Sequence, residues 1–464
     1  MTVPRARIAT LALLAAVVVG TSLVMIDGFT IASPERAAAV GVACAALAAI
    51  VVVPALRRAL TLPMVLVASL LLVTVAVVQP PAESHDLWSY AMNGRILQHY
   101  GDSPYTHAPA DYPHDPLLGQ VGAGWRHTKS LYGPAFTAVS AAVTSVTGAD
   151  LLATRLGFQL LAAACVLAML LLLYRRTRDP VVVALVGCNP VVMIEVVNLG
   201  RNDALVGLAL LGGVLLAMRR RFVAAAVVLA LGASVKITVI AALAIGVVWM
   251  WRRYGARVAA GAAAAGAVVV AVPYAIAGGM KALRPVANAS NRMSRASIWE
   301  LTRRDGLQHM LGLRDAQKVG AVIGTVGPAA LVVVLGLAVL FACSRLTDPT
   351  PELVAAGALA AFLLAGSYVL ASYAMWIIPI AAWRHRAGVS RAVLLWSALL
   401  TVAYQAVRPM PTQPDDLAVW LVSMITLVFA VVAIGALAVA AVRRLRTPTA
   451  GVEQTVPVPI QAVS

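Results

Sequence analysis

Residues 60–78 read LTLPMVLVASLLLVTVAVV, and residues 79–130 continue QPPAESHDLWSYAMNGRILQHYGDSPYTHAPADYPHDPLLGQVGAGWRHTKS. The first stretch is uncharged and, at about 1.5 Å per helical residue, long enough to cross the hydrocarbon core of a bilayer. The second holds five of the chain's seven histidines, the acids Glu83, Asp86, Asp102, Asp111 and Asp115, and a cluster of Tyr, Trp and Pro. An apolar span that runs directly into one long polar loop predicts a membrane enzyme whose chemistry sits in that loop.

The same apolar signature recurs along all 464 residues, of which 61% are hydrophobic and 12% charged. A soluble domain averages about 25% charged residues. Candidate spans fall at 8–26, 37–55, 60–78, 151–174, 180–199, 203–218, 222–234, 236–251, 258–276, 319–343, 352–371, 372–383, 391–407 and 417–442. The fold class is therefore an all-α polytopic membrane protein with about 12–14 transmembrane helices. The pairs 222–251 and 352–383 each read either as two spans or as one broken helix. A β-barrel is excluded, because its strands would alternate polar and apolar residues over about 10 residues. The net charge of +17 comes from short clusters between apolar runs, such as Arg57-Arg58, Arg175 to Arg178, Arg219 to Arg221 and Arg252-Arg253. Such clusters orient cytoplasmic loops, so no nucleic-acid partner is expected. The cysteines Cys44, Cys165, Cys188 and Cys343 lie inside apolar runs without metal or disulfide spacing. The N-terminus resembles a signal peptide but lacks a clear cleavage site, and reads as a retained first span.

Segment 131–148 is apolar enough to cross, yet rich in Ser and Thr. A full crossing would put Arg175–Arg178 and Arg219–Arg221 outside; a partial or interfacial helix keeps every basic cluster inside and is preferred. The outer face then gathers the 79–130 loop, the Gly200–Asp203 turn, Lys236, a loop near 278–318, the Tyr373–Trp376 region and Arg408–Asp416. The organisation expected is N-terminal spans over 1–78, an extracytoplasmic catalytic loop with short interfacial helices over 79–150, and a membrane core over 151–276. A second outer loop (277–318), C-terminal spans (319–446) and a disordered tail (447–464) follow.

Asp86 comes eight residues after the third span, among aromatics. It is placed either as a general base or as the N-cap of a short helix. His85 beside it fits a supporting or a structural role. Asp86, Tyr90 and Gly94 share one helical face, and Gly101 signals that helix's end. His85, His99, His107, His114 and His127 show no metal-ligand spacing, so no metal site is assigned. Lys236, isolated between apolar stretches, is either a partner for a lipid phosphate or a snorkelling side chain. Arg201, Asn202 and Asp203 interrupt another apolar stretch, as a tight turn or as a polar cluster that meets sugar or phosphate. Glu195 nearby is a potential partner for Lys236 or Arg201, or a helix cap. Arg284, Arg292, Arg295, Arg303 and Arg304 form a basic outer loop able to meet an anionic headgroup.

The order Asp86-Leu87-Trp88-Ser89-Tyr90 with Gly94, Ser103-Pro104-Tyr105, then Tyr132-Gly133-Pro134 resembles the first outer loop of GT-C glycosyltransferases. In particular it resembles actinobacterial polyprenol-phosphomannose-dependent α-mannosyltransferases of lipomannan and lipoarabinomannan. Asn189-Pro190, Asn202-Asp203-Ala204-Leu205, the Lys236 neighbourhood and Ser372-Tyr373-Ala374-Met375-Trp376-Ile377-Ile378-Pro379 fit the same pattern, over roughly residues 80–380. Departures are Arg201 where His often precedes Asn-Asp, Ser372 where Trp often precedes Tyr, and Ser103 where Asn is usual. The resemblance implies a multi-pass plasma-membrane enzyme with its active site on the extracytoplasmic face. Its donor would be a lipid-linked sugar, polyprenyl-phosphomannose, and its acceptor a glycan or glycolipid. Asp86 would deprotonate the acceptor hydroxyl, which attacks the anomeric carbon with inversion, while Lys236 stabilises the departing phosphate. Substrate-binding positions implied are His85, Tyr90, Arg95, Tyr105, Tyr132, Arg201, Asn202, Asp203, Lys236, Tyr373 and Trp376. No cofactor is implied, and a role for a divalent metal stays open. The alternative, a transporter or flippase of lipid-linked sugars, would need more ionisable residues deep in the spans than Lys236 and Glu195.

Overall fold

In lipid every backbone N–H and C=O must be satisfied within the protein, so apolar runs of this length become helices. The computed structural model describes residues 2–26, 33–81, 84–289, 335–340, 349–366 and 368–406, with a few single positions between 294 and 343. Among the described residues there is no strand. The N-terminal region forms α1 (Val3–Met25), α2 (Ser33–Val52), α3 (Pro54–Ala59) and α4 (Leu62–Val78). The polar loop contains α5 (Asp86–Gln98), two 3-10 turns (Pro109–Asp111 and Leu118–Gln120) and α6 (Ala123–Arg126), and leads into α7 (Pro134–Thr147). Next come α8 (Leu151–Thr177), α9 (Pro180–Gly187), a π-helical turn (Val191–Asn198), α10 (Asp203–Met218) and α11 (Phe222–Val235). A 3-10 turn (Ile237–Val239), α12 (Ile240–Tyr254), α13 (Ala256–Ile276) and α14 (Met280–Ala289) continue the chain. The last described elements are α15 (Pro351–Ala365), a 3-10 turn (Ala371–Trp376), α16 (Ile378–Trp383) and α17 (Gly388–Ala406).

Five of these helices are long and apolar enough to cross a membrane, and a sixth span arises if α9 and the π-helical turn, bent by 51°, are taken together. The expected all-α polytopic architecture is therefore present. The span expected at 417–442, the tail, most of the second outer loop and the arginines at 292, 295, 303 and 304 lie outside the described residues, and the span expected at 319–343 is described only in part. Large apolar side chains face outward, among them Val67 on α4, Leu160 on α8 and Val268 on α13, as a surface in contact with lipid tails requires.

Sequence chemistry explains where the helices start and stop. Proline occupies the first turn of α1, α4, α7 and α9, where its missing N–H is harmless. Asp150 accepts from the Ala153 N–H at 2.6 Å and caps α8, and Asp179 accepts from the Val181 N–H at 2.9 Å and caps α9. The segment 131–148 yields only the 14-residue α7, about 21 Å long against a hydrocarbon core of about 30 Å. The segment 222–251 is broken, with Lys236 in extended backbone between α11 and the following 3-10 turn. The segment 352–383 is likewise interrupted, between α15 and the turn at Ala371–Trp376.

Two glycines dock the polar loop onto the bundle. A Cβ at Gly94 would strike the Ser140 carbonyl, which lets α5 and α7 pack backbone to backbone. At Gly133 a Cβ would strike the Ser234 carbonyl, and the Gly133 N–H donates to the Val235 carbonyl at 2.9 Å. The Tyr-Gly-Pro motif is thereby pinned beside the break that carries Lys236. At the loop's start, Gln159 Nε2 donates to the carbonyls of Ala76, Gln79 and Asn198, and Asn198 Nδ2 donates to those of Ala76, Gln79 and Pro80. These amides satisfy the orphan carbonyls at the end of α4. As a result α5 is enclosed, with Leu87 through Ile96 all buried.

Candidate active site

Four interruptions of helical structure meet at one place: the N-terminus of α5, the turn before α10, the break after α11 and the 3-10 turn Ala371–Trp376. Irregular backbone at such depth is tolerated where protein or a cavity surrounds it. The Gly200 backbone, at φ 58°, makes the second of these turns possible; a Cβ there would lie 2.8 Å from Leu87 Cδ1 on α5.

A chain of polar contacts runs through the meeting point. Arg201 Nη2 lies 3.3 Å from Asp86 Oδ2. Arg201 Nη1 donates to Ser372 Oγ at 2.8 Å, and Ser372 Oγ donates to Asp203 Oδ2 at 2.9 Å. Asp203 Oδ1 also accepts from Lys236 Nζ at 2.9 Å and from Trp376 Nε1 at 2.7 Å. Two carboxylates thus face two cations, and the cluster is neutral overall. The Lys236 ammonium sits 3.9 Å from the Tyr373 ring centroid and 5.1 Å from that of Trp376, and these two rings are stacked at 4.5 Å. Cation–π attraction adds to the ion pair in holding it there.

The two acids differ in burial and in hydrogen bonding. The Asp203 side chain is 2% exposed and accepts three hydrogen bonds, whereas that of Asp86 is 17% exposed. Asp86 opens α5 as its first residue; the N-cap is His85 and makes no side-chain cap. Beside the acids, both amide atoms of Asn202 and the Nε of Arg201 are buried without a hydrogen-bond partner. Buried polar groups are nearly always satisfied, so these exceptions call for a partner outside the protein chain, such as water or a ligand.

Tyr90 and Tyr132 form an aromatic wall next to Asp86. Their rings meet edge to face at 4.8 Å, and Tyr90 also packs on Phe136 at 4.9 Å. Burial, reinforced by the Asp86 carboxylate, pushes both phenols well above their ordinary range, so both remain neutral hydroxyls.

Of the residues singled out from the sequence, Asp86, Tyr90, Tyr132, Arg201, Asn202, Asp203, Lys236, Tyr373 and Trp376 are brought together. Three others hold the loop instead. Arg95 Nε donates to the buried Asp115 Oδ2 at 2.7 Å. Tyr105 Oη donates to the Tyr132 carbonyl at 2.9 Å and lies 2.9 Å from Thr137 Oγ1. His85 Nδ1 bonds the Gln120 carbonyl at 2.8 Å on the exposed side. Glu195, fully buried, accepts from Gln405 Nε2 at 3.2 Å, and Lys236 is paired with Asp203. Arg284, on α14, is exposed. Among the described residues no three of His, Cys, Asp or Glu converge on a common point. The residues that sequence reasoning missed are Ser372, which bridges Arg201 and Asp203, and the loop anchors Gln159 and Asn198. Ser372 carried one signal, as a small hydroxyl where the resembling proteins often have Trp.

Residues 7–253 match the family described as alpha-(1->6)-mannopyranosyltransferase, N-terminal domain. The chain is 32% identical over 176 residues to the alpha-(1->6)-mannopyranosyltransferase A of Corynebacterium glutamicum, over 37% of this chain and 35% of that protein. It is 30% identical over 183 residues to the alpha-(1->6)-mannopyranosyltransferase A of Mycobacterium tuberculosis, over 38% of this chain and 34% of that protein. The chain thus spans about a third of the length of each curated relative that it matches. The matched region holds α5, the Arg201–Asp203 turn and Lys236, which are the parts of the cluster that carry charge. With more than half of its residues inside that match, the chain belongs to the alpha-(1->6)-mannopyranosyltransferase family.

Proposed function

We propose that the protein is a membrane glycosyltransferase that moves mannose from a polyprenyl-phosphate donor to a hydroxyl of a glycan or glycolipid, at the extracytoplasmic face of the plasma membrane. The observation that carries the reading is the placement of Asp86. It is the more accessible acid of a buried, charge-balanced cluster whose cations suit a phosphate. The two relatives, both alpha-(1->6)-mannopyranosyltransferases, support mannose as the sugar.

In the proposed reaction the acceptor hydroxyl gives its proton to an Asp86 carboxylate oxygen. The acceptor oxygen forms a bond to the anomeric carbon on the face opposite the phosphate. The bond between that carbon and the phosphate oxygen breaks, and its electron pair leaves with the lipid phosphate, so the configuration inverts. Arg201 and Lys236 face the charge that develops on the phosphate. A phosphate entering beside Arg201 competes with Asp86 for the guanidinium, which releases the carboxylate for the acceptor. Asp203 keeps Lys236 extended toward this position but, being fully hydrogen-bonded, takes no proton itself. An ammonium has three protons and Asp203 takes one, which leaves Lys236 able to meet a phosphate. Asn202, with its unpartnered amide, is assigned to the donor.

The test is transfer in membranes that contain the protein, with radiolabelled polyprenyl-phosphomannose as donor and a short α-mannoside as acceptor. The expected result is a labelled glycan one mannose longer, with a nucleotide sugar failing to replace the lipid donor in washed membranes. Movement of the intact lipid-linked sugar across vesicles without transfer would instead establish a flippase.

A further inference from the structure

One basic helix beside the site takes no part in the cluster. It follows α13, whose 21 residues extend about 31 Å, the thickness of a hydrocarbon core of about 30 Å. Arg252, Arg253 and Arg257 stand at the start of α13, so its other end reaches the opposite headgroup layer. There Val272 and Ile276, four residues apart, face outward, and Ile276 is 83% exposed, as contact with lipid tails requires. Gly278 and Gly279, at φ 105° and 62°, then turn the chain, and α14 begins at headgroup level.

The two sides of α14 differ. Ala282 and Pro285 are buried, and Ala282 packs in a small core with Tyr105 of the polar loop, Tyr274 of α13 and Ile237, the residue after Lys236. Lys281 and Arg284, three residues apart, share the exposed face. No acid pairs with either among the described residues. Met280 beside them is exposed and continues the outward apolar stripe of Val272 and Ile276. Two free cations that border a lipid-facing stripe fit an anionic headgroup: the stripe sets the depth, and the cations meet the phosphate. The stripe favours lipid over an acidic soluble partner, which would match the cations alone. We propose that Lys281 and Arg284 bind the phosphates of anionic phospholipids in the surrounding leaflet. Through the core at Ala282, this contact fixes the level of the polar loop and of the Lys236 break at the membrane surface. The proposal depends on neither the sugar nor the reaction.

The test is amide hydrogen exchange of the full chain in nanodiscs of phosphatidylcholine, alone and mixed with phosphatidylglycerol. Wild type and Lys281→Gln/Arg284→Gln are compared through peptides that cover α14, with peptides of α13 as the control for fold. Phosphatidylglycerol is expected to slow exchange in wild-type α14 about 25-fold, from about fivefold for each basic side chain at an anionic surface. Molar salt should remove most of that slowing by screening. The variant should exchange alike in both discs, at the rate of wild type in phosphatidylcholine alone, with α13 unchanged. If α13 also exchanges faster in the variant, the lipid and salt comparisons on wild type decide. Equal exchange of wild-type α14 in both discs, or a slowing that the folded variant keeps, overturns the proposal. A slowing that polyprenyl phosphate in phosphatidylcholine produces and phosphatidylglycerol does not would overturn it too, by assigning the two cations to the donor lipid.

Discussion

Replacing Asp203 by Asn tests whether the cluster is held together as the geometry implies. Asp203 accepts from Lys236, Ser372 and Trp376 at 2.9, 2.9 and 2.7 Å, and the side chains of the ion pair are 2% and 13% exposed. Removing one member of a buried pair leaves the other charge uncompensated, a loss of about 3–5 kcal/mol. That is a large part of the roughly 5–15 kcal/mol by which a folded domain is stable. Lys236→Met should show a loss of the same order, because it strands the Asp203 carboxylate. The double variant Asp203→Asn/Lys236→Met strands neither, so its loss should fall short of the sum by about 2–3 kcal/mol. The assay is reversible denaturant unfolding of the purified protein in mixed micelles, followed by helical circular dichroism. A loss below about 1 kcal/mol for Asp203→Asn, against the 3–5 expected for a buried pair, would refute the reasoning. Additivity of the two single substitutions would refute it equally.

Three other outcomes follow from individual contacts. Gly133→Ala should lose about 1–3 kcal/mol, because its Cβ meets the Ser234 carbonyl, and protease should then cut the 79–130 loop faster; limited proteolysis reads this. Arg95→Met strands the buried Asp115 carboxylate, so it should lower the unfolding midpoint and yield, while the folded fraction keeps its turnover, checked by activity per active site. Ser372→Ala unpairs Arg201 Nη1 and Asp203 Oδ2 together. It should lose about 1–3 kcal/mol and raise the KM for donor, measured by steady-state transfer, whereas Ser372→Thr should restore much of both.

The membrane class and most helix positions were legible because bilayer thickness imposes a length on apolar runs that no other environment does. Asp86, Arg201, Asp203 and Lys236 were legible for a related reason: a charge next to an apolar run is costly and invites a functional account. Their pairings were not legible. Lys236 reaches Asp203 only after α10 and α11 fold back as an antiparallel pair, and Arg201 reaches Asp86 only once α5 docks against the Gly200 turn, neither of which a local pattern encodes. Arg95 and Tyr105 carry the same residue types as substrate contacts and turn out to brace the loop, since Asp115 and the Tyr132 carbonyl are nearer than the cluster. Gln159 and Asn198 looked like ordinary polar residues in helices. Their role appears only once α4 ends beside them with unsatisfied carbonyls.

The most direct test of the account is the rate of mannose transfer from polyprenyl-phosphomannose by Asp86→Asn protein, beside wild type, with folding verified by the unfolding midpoint. General-base catalysis contributes about 10²–10⁴-fold. Asp86→Asn is therefore predicted to lower the transfer rate by at least about 100-fold while it retains donor binding. Transfer by folded Asp86→Asn protein within a few-fold of wild type would contradict the assignment of Asp86 as the base, and with it the division of labour between the two acids.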